Sequence, residues 1–473
     1  MVIGDSLAQG CRSLTVRQEF CAQSWPAQLA NAQGWTFRSP DLPQPVLFDL
    51  EEEVRRLGDL VLISPGNVEF GGVITRLMAN LRGWLANRRT SRFAAFDNLG
   101  LSGAQPADLY TRSASTSQQE IERIIPHGGA EQILLHRGEI GALHLAINAH
   151  FTLNPSQDPA FSNLTPLDWV RARLPKRLFL QIGHNNGLYA IGSNATDKPF
   201  DQPNDNGDTF LASFQRIGAE LAALPAEVER IVCVLLPKVG AVANLRPQDA
   251  TRKNGYAETY EPVLSTSRSV FTGTRLAEID RAIDAMNGQI KSVLTAAALA
   301  TGTEARLLFF DSFAMFERYD FKNSLDPAKR ISLSTPVNAA IDNFYVTGRL
   351  VPQTPWPPGT PPWRKELARG GFQSVDGMHP SACGYAVLAH EMMTLLGLGN
   401  NDLGALLATA FADDALLHDF PMKLNALVDV LGLLRGSRQL GMEPVVPKPV
   451  IAEGDDNLHV LDAIGLFKQL LVR

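Results

Sequence analysis

The chain begins MVIGDSLAQG (residues 1–10), where a short apolar run leads directly into a Gly-Asp-Ser turn and a helix-forming segment. A serine that follows a strand at such a turn can expose its hydroxyl and point its own N–H at a ligand, so Ser6 is a candidate nucleophile. Strands usually run about 5–6 residues. We therefore expect either a fold that tolerates a short first strand or a natural chain that begins further upstream.

The overall composition limits the functional classes. The 473 residues are 45% hydrophobic and 19% charged, which is typical of a folded soluble protein. The net charge of −6 gives no electrostatic attraction for nucleic acid, and no basic run suits an anionic membrane surface. No window reaches the roughly 18 uninterrupted apolar residues of a membrane helix. We expect a small-molecule or lipid substrate, no nucleic-acid partner and no integral membrane segment.

The cysteine and histidine spacings imply no metal or cofactor. The four cysteines have no CxxC spacing, which makes a zinc site or a disulfide framework unexpected, although the first two could pair in an oxidising compartment: Cys11, Cys21, Cys233 and Cys383. Four histidines of one segment lack the spacing of metal ligands: His127, His136, His144 and His150. The acidic loop 201–208 lacks the alternating acids and closing Glu of a calcium loop.

Apolar runs of strand length alternate with helical stretches along the chain. The predicted strands are residues 1–3, 92–101, 177–183, 230–237 and 305–313, with 59–67 as an extra edge strand or part of an insertion. Helical stretches are predicted at 24–33, 209–224, 275–302 and 382–399. Continuous apolar strands that alternate with helices favour a parallel sheet covered on both faces. We predict a three-layer α/β/α, flavodoxin-like fold with a parallel five-stranded sheet.

Three regions exceed a minimal three-layer domain. Residues 112–170 are long and mixed, residues 318–372 contain the Pro- and Trp-rich TPWPPGTPPW, and residues 400–473 form a mostly helical tail. Long insertions in a compact domain are usually lids or small subdomains. We expect one domain over residues 1–399, with both insertions as a lid or cap, and a helical C-terminal extension (400–473) packed on the same domain.

Four polar, Gly-bearing stretches lie near the C-terminal ends of predicted strands or just before the last helix. They are GDSLAQG (4–10), NLGLSGAQPADL (98–109), QIGHNNG (181–187) and VDGMHPSACGY (375–385). Open parallel sheets bind ligands outside the carboxyl ends of their strands. We therefore expect these four stretches to form one site.

These stretches supply the parts of serine hydrolysis. His379 can accept the proton of Ser6, and Asp376, three residues earlier, is close enough on a tight turn to hold the other ring nitrogen. Gly103 lets a ligand approach the backbone, and Asn185 offers a side-chain amide to an oxyanion. Rival residues stay open for the last three roles: Asp311 for the acid, Gly100 for the glycine and Asn186 for the amide.

The set resembles the GDSL, or SGNH, hydrolases, whose second name lists the Ser, Gly, Asn and His of four sequence blocks. GDSL at 4–7, NLGLSGAQPADL, GHNN at 183–186 and DGMH at 376–379 match those blocks in the family's order. The resemblance implies a catalytic triad of Ser6, Asp376 and His379. It also implies an oxyanion hole made by the N–H groups of Ser6 and Gly103 with the Asn185 amide.

One position departs from the family pattern. The family's Asp after the oxyanion asparagine is Asn186 here, and an amide cannot accept charge-assisted hydrogen bonds as a carboxylate does. We expect activity to survive and the hydrogen bonding of that loop to differ. Asp5 and His184 lie inside the matched blocks and are assigned to substrate binding.

The resemblance implies hydrolysis of a carboxylic ester through an acyl-enzyme, with no metal or cofactor. Three apolar segments could overhang the site, and an apolar lining favours a substrate with a lipophilic part. They are HLAINAHF (144–151), the Trp-Pro loop and LGALLATAF (403–411). Carbohydrate O-acetylesterase and acyltransferase activities on the same residues stay open, as does a non-catalytic binding protein on this fold. No signal peptide precedes Ser6, which favours the cytoplasm, whereas a longer natural N-terminus would allow a secreted or periplasmic location.

Overall fold

The computed structural model describes residues 1–49, 51–52, 70–87, 89–126, 139–192, 199–200, 210–248, 251–262, 271–324, 326–329, 331–332, 340–341, 349–352, 363–366, 371–374 and 376–413. Several sequence predictions lie outside the described residues. They concern the edge strand 59–67, the acidic loop 201–208, His127 and His136, almost all of TPWPPGTPPW, and the tail after residue 413.

Five parallel strands form the central sheet, in the order β2-β1-β3-β4-β5. Their bounds are Val2–Gly4 (β1), Asn98–Gly100 (β2), Arg177–Gln181 (β3), Arg230–Val234 (β4) and Leu307–Phe310 (β5). Each strand overlaps a stretch predicted as a strand. The order 2-1-3-4-5 is that of flavodoxin-like folds. The predicted α/β fold with a parallel five-stranded sheet is therefore confirmed.

The first strand, β1, lies inside the sheet although it has only three residues. It pairs with β2 on one side, from Val2 against Asn98, and with β3 on the other, from Val2 against Phe179. Met1 adds to this pairing, because the Phe179 N–H donates to the Met1 carbonyl at 3.0 Å. Neighbours on both sides satisfy the backbone groups of the strand and fix its register.

Helices cover both faces of the sheet. Side chains that alternate along β1 point into different clusters: Ile3 into one, with helices Phe210–Ala222 and Gly273–Thr301, and Val2 into the other. The second cluster holds helices Trp25–Ala32, Ala382–Leu395 and Leu403–Asp413. Because both faces of the inner strands are buried, their sequences are almost continuously apolar, whereas in the edge strand β5 only Phe310 is buried.

A third apolar cluster lies around the helix Ile140–Leu153, here called the insertion helix. It packs against the helix Ala114–Ile124, and side chains on its other face, including Leu145 and Ala149, join the main core. Nearly every residue of the helix is buried. The stretch HLAINAHF, which belongs to this helix, is therefore part of the packed interior.

The remaining elements are short, apart from the 17-residue helix Phe70–Ala86. Helices lie at Ser6–Gln9, Gln18–Ala22, Phe70–Ala86, Asp108–Thr111, Pro166–Arg173, Leu188–Gly192, Ser312–Arg318 and Phe321–Ser324, and 3₁₀ turns at Pro159–Phe161, Val239–Ala241, Glu304–Arg306 and Pro327–Lys329. Antiparallel strands lie at Leu245–Pro247, Thr259–Pro262 and Phe271–Thr272, and as two pairs, Ile331–Ser332 with Ala340–Ile341 and Arg349–Pro352 with Trp363–Glu366. The expectation of helical and loop insertions misses these strands, because two to four residues are too few to show an alternating pattern. Among the described helices, none is both long and apolar enough to cross a membrane.

Candidate active site

Ser6 is the first residue of the short helix Ser6–Gln9, directly after β1. The Asp5 carboxylate caps this helix by accepting the Leu7 N–H at 3.2 Å. Gly4 is required by close packing, since a Cβ there would lie 2.0 Å from the carbonyl oxygen of Gln181. The Gly-Asp-Ser sequence thus turns the chain sharply and leaves Ser6 at the carboxyl edge of the sheet.

Ser6, His379 and Asp376 form one chain of hydrogen-bonding contacts. His379 Nε2 lies 3.0 Å from Ser6 Oγ, and His379 Nδ1 lies 2.7 Å from Asp376 Oδ2. The two partners of Ser6 come from the loop before the helix Ala382–Leu395, and all three residues are buried. This arrangement can pass a proton from the hydroxyl to the imidazole while the carboxylate orients the ring.

Asp376 is held by donors from two separate loops. Asp376 Oδ1 accepts the N–H groups of Met378 and His379, each at 2.8 Å, and the Ser374 hydroxyl at 3.2 Å. Asp376 Oδ2 accepts the Leu14 N–H at 2.9 Å. Burial alone would raise the pKa of Asp376, but the charge of His379 and these hydrogen bonds together hold it below its ordinary value. The carboxylate therefore stays ionised at neutral pH.

The same surroundings strengthen His379 as a base. Burial opposes a positive charge on the imidazole, whereas Cys11 and Asp376 beside the ring favour one. The pKa of His379 consequently lies well above its ordinary value of 6.5. Cys11 is itself held in place, because the Tyr385 hydroxyl donates to the Cys11 carbonyl at 2.6 Å.

A strained turn supplies the Leu14 N–H to Asp376. Arg12 and Thr15 close this turn with two backbone hydrogen bonds, and the two central residues, Ser13 and Leu14, have φ values of 53° and 56°. Residues with side chains rarely adopt this left-handed conformation. It directs the Ser13 N–H to Ser374 Oγ at 2.8 Å and the Leu14 N–H to Asp376.

Gly103 and Asn185 meet at the loop after β2. The Asn185 side-chain amide donates to the Ala104 carbonyl at 2.9 Å, next to Gly103. Gly103 has φ 92°, and no described residue accepts its N–H. The Gly103 N–H and the second amide hydrogen of Asn185 are therefore suited to a developing oxyanion.

A polar link behind the site ties this loop to Ser6. Gln9, at the end of the Ser6 helix, accepts the Ser102 N–H at 2.9 Å. Its side-chain amide also exchanges two hydrogen bonds with Asn148 of the insertion helix, at 2.7 and 2.8 Å. The loop of Gly103 is thus fixed relative to Ser6 by a buried network.

The rival residues occupy other environments. Asp311 caps the helix Ser312–Arg318, its side chain is 48% exposed, and its carboxylate lies 3.6 Å from Lys291 rather than at His379. The Gly100 N–H donates to the side chain of Asn98 at 2.9 Å. Asn186 is buried, and its Oδ1 has no hydrogen-bond partner among the described residues. An aspartate at position 186 would bring a charge to this buried position.

Asp5 and His184, assigned to substrate binding from sequence, contact each other. His184 Nδ1 lies 2.6 Å from Asp5 Oδ2, and the His184 N–H donates to the same oxygen at 3.3 Å. Asp5 is fully buried, so its oxygens serve Leu7 and His184. We infer that Asp5 positions His184 and the neighbouring Asn185, and that His184 is the member of the pair that is placed to meet a substrate.

Sequence reasoning missed several neighbours of the triad. Cys11, Ser374 and Leu14 carry no motif, and Tyr385 ends the last block without a predicted role; the fold brings all four to the site. His144 was considered as a metal ligand and as part of HLAINAHF, whereas burial and the charge of His379 lower its pKa to about 4. Cys11 and Cys21 are both free, buried thiols.

Of three comparisons with known proteins, one found a match. No curated protein and no solved structure matches the chain. The family model described as GDSL-like Lipase/Acylhydrolase matches residues 1–392, which include all four sequence blocks and the whole central sheet. The protein therefore belongs to the GDSL-like lipase/acylhydrolase family.

Proposed function

We propose that the protein hydrolyses carboxylic esters through an acyl-enzyme on Ser6. Its family consists of lipases and acylhydrolases, which implies an esterase-type hydrolase. The observation that carries the proposal is the buried contact chain Ser6–His379–Asp376, with distances of 3.0 and 2.7 Å. Those are the distances at which a base can take the proton of a nucleophile and be oriented by an acid.

The reaction proceeds in two halves. Ser6 Oγ attacks the ester carbonyl carbon while His379 Nε2 takes the hydroxyl proton, and the oxyanion accepts hydrogen bonds from the N–H groups of Ser6 and Gly103 and from Asn185. The bond to the alkoxide then breaks, and His379 returns the proton to the leaving oxygen. In the second half, water attacks the acyl carbon, His379 takes a water proton, and the acid leaves as Ser6 regains its hydrogen.

We further propose that the acyl part is lipophilic. Apolar side chains lie beside the proposed site: Leu145 lies 3.5 Å from the position that a Cβ of Gly103 would take, and Met378 directly precedes His379. An apolar lining favours an apolar acyl chain. LGALLATAF does not carry this proposal, because it belongs to a helix packed into the core, whereas within HLAINAHF the contact with the Gly103 loop comes from Leu145.

Substitution of the nucleophile tests the activity. Ser6→Ala is expected to lower kcat on 4-nitrophenyl esters by about 10⁴- to 10⁶-fold and to abolish labelling by a fluorophosphonate. Ser162→Ala, at a half-buried serine whose hydroxyl donates to the Pro159 carbonyl, serves as control and should retain full activity. Undiminished turnover by Ser6→Ala would refute the proposal.

A series of 4-nitrophenyl esters with acyl chains of increasing length tests the proposal that the acyl part is lipophilic. Wild-type kcat/KM should rise from acetate to octanoate. A clear preference for acetate would instead favour a carbohydrate O-acetylesterase, and transfer to an added alcohol that outruns hydrolysis would identify an acyltransferase.

A further inference from the structure

The Gly103 loop is held by hydrogen bonds on two sides. On one side, the Ala104 carbonyl accepts the side-chain amide of Asn185 at 2.9 Å. On the other side, the Ser102 N–H donates to Gln9 Oε1, also at 2.9 Å. Gly103 itself restricts the backbone little, because glycine has no Cβ. The position of the Gly103 N–H therefore depends on where Gln9 holds the residue that precedes it.

A pair of buried side-chain amides sets the orientation of Gln9. An N–H group can only donate, so the Gln9 atom that faces the Ser102 N–H is its oxygen. Gln9 Nε2 donates to Asn148 Oδ1 at 2.7 Å, and Asn148 Nδ2 donates back to Gln9 Oε1 at 2.8 Å. Both side chains are buried, so bulk water does not replace a bond that is lost. Asn148 thus holds the amide of Gln9 in the orientation that accepts the Ser102 N–H.

The insertion helix fixes Asn148 in turn. Thr152, one turn later, donates its hydroxyl to Asn148 Oδ1 at 3.2 Å. Leu145, about one turn earlier, lies 3.5 Å from the position that a Cβ of Gly103 would take. Because residues three and four apart share a helix face, one face of this helix both contacts the Gly103 loop and anchors Gln9. Asn148 lies outside the four sequence stretches of the site, so no motif points to it.

We propose that Asn148 is a positioning residue for the oxyanion hole. Acting through Gln9, it holds the Ser102 N–H and thereby keeps the Gly103 N–H where the oxyanion forms. Oxyanion donors act mainly in the transition state, and a misplacement of about 1 Å can cost about 100-fold in rate. Asn148 is buried and its amide is bonded within the protein, so its loss should change the rate and spare substrate binding. This inference rests on the proposed ester hydrolysis.

Replacement of the amide by an apolar side chain of similar size tests the inference. In Asn148→Leu, kcat on 4-nitrophenyl butyrate should fall about 10- to 100-fold while KM changes less than about 3-fold. Butaneboronic acid forms an adduct on Ser6 that mimics the tetrahedral intermediate, so its affinity should fall by the same factor as kcat/KM.

Asn154→Leu is the matched control. Asn154 is also buried, and its side chain makes two hydrogen bonds at the C-terminal end of the insertion helix, to the Asp158 carbonyl and from the Ser156 hydroxyl. Its replacement should lower the Tm, as that of Asn148 does, yet leave kcat, KM and the boronic acid affinity unchanged. Equal losses of kcat in the two variants would show a general structural effect and would overturn the inference.

A double variant tests the route through Gln9. Gln9→Met already removes the acceptor of the Ser102 N–H, so adding Asn148→Leu to it should lower kcat by less than about 2-fold further. Losses that multiply in the double variant would mean that Asn148 acts by another route, and would overturn the inference.

Hydrogen–deuterium exchange separates this inference from the proposed function, because it needs no substrate. Peptides that cover residues 98–109 should exchange faster in Asn148→Leu than in the wild type or in Asn154→Leu, as followed by mass spectrometry. A wild type that neither hydrolyses esters nor binds the boronic acid would refute the proposed function, and unchanged exchange would then refute the role of Asn148. An active wild type with undiminished kcat in Asn148→Leu would overturn the inference alone.

Discussion

Asp376 accepts the backbone N–H groups of Met378 and His379 in its own loop and of Leu14 in the turn of residues 12–15, and together they fix the position of its carboxylate. Its charge then sets the proton affinity of the imidazole. Because only neutral His379 can take the Ser6 proton, the pH dependence of the reaction reports on this pair.

The acidic side of the pH profile of kcat/KM tests the interaction between His379 and Asp376. The pKa of His379 lies above 6.5, so kcat/KM should rise with pH through a midpoint above 6.5. Asp376→Asn removes the negative charge that favours protonated His379, so the midpoint should move to lower pH and the maximal rate should fall by about 10⁴-fold. Asp311→Asn, at the other carboxylate considered from sequence, should change neither quantity. An acidic limb that stays in place in Asp376→Asn would contradict this account of the pair.

Where a short motif carries the geometry, the residues singled out from sequence lie close together in the structure. Ser6, Asp376 and His379 lie in blocks whose local turns place them, and the structure brings them together. Leu14 and Cys11 belong to no block, and they reach the triad because helix and turn packing determines the path of residues 10–17. Such contacts depend on pairs separated by more than 360 residues, which no local pattern encodes.

The turn of residues 12–15 is the element that connects the Ser6 helix to Asp376, and a buried ion pair fixes it from behind. Arg12 Nε lies 3.0 Å from Glu51 Oε1, both side chains are at most 2% exposed, and Ser13 Oγ donates to the same carboxylate at 2.8 Å. The guanidinium also stacks on the Phe20 ring, 3.9 Å from its centroid. The left-handed residues are therefore held by contacts on two sides.

Breaking this ion pair should be costly. Glu51→Gln removes the negative charge that faces a buried guanidinium, so the free energy of unfolding should fall by about 3–5 kcal/mol in urea denaturation. Glu19→Gln is the matched control, because Glu19 pairs with Arg17 at 3.5 Å while its side chain is 65% exposed. That change should cost less than about 1 kcal/mol. Similar losses in the two variants would show that Glu51 does not anchor the turn.

Among helices and strands, the core strands and the long helices could be predicted from sequence, whereas the short antiparallel strands could not. The strands at 177–181 and 230–234 were found because burial on both faces makes them almost continuously apolar. The helix Gly273–Thr301 was predicted within two residues at its start and one at its end, because a C-terminal Gly302 stops it. The antiparallel strands have only two to four residues each, which is too few for an alternating pattern, and they escaped prediction.

In the whole molecule, a buried polar cluster joins the region after β4 to the helix Gly273–Thr301. Asp280 of that helix accepts the Gly240 N–H at 2.9 Å and the Tyr256 hydroxyl at 2.7 Å. The Lys322 ammonium reaches the same region and donates to the carbonyls of Val242 and Leu245. Burial, the largest influence, raises the pKa of Asp280 to about 6.

This raised pKa predicts a pH dependence of global stability. The folded protein holds the Asp280 proton more tightly than the unfolded chain, whose aspartates have an ordinary value of 3.8. Ionisation of Asp280 therefore lowers the free energy of unfolding as pH rises from 3.8 to about 6, by a total on the order of 3 kcal/mol. The side chain of Asp280→Asn cannot ionise. Between pH 4 and 7, the free energy of unfolding of the wild type should therefore fall by this amount relative to that of the variant, as measured by urea denaturation at each pH. A difference that stays constant, or changes in the opposite direction, would contradict the assignment.

The distance along the chain between Ser6 and His379 has a consequence for protein synthesis. Their contact spans 373 residues, and β1 itself pairs with strands that begin at residues 98 and 177. At roughly 5–20 residues per second, a ribosome needs about 20–75 s after making Ser6 to make its base. During that time the nucleophile has no partner to activate it, and the sheet that positions it is incomplete. Nascent chains and prematurely terminated products therefore carry the serine without its esterase chemistry, and activity begins only once nearly the whole matched region has been translated.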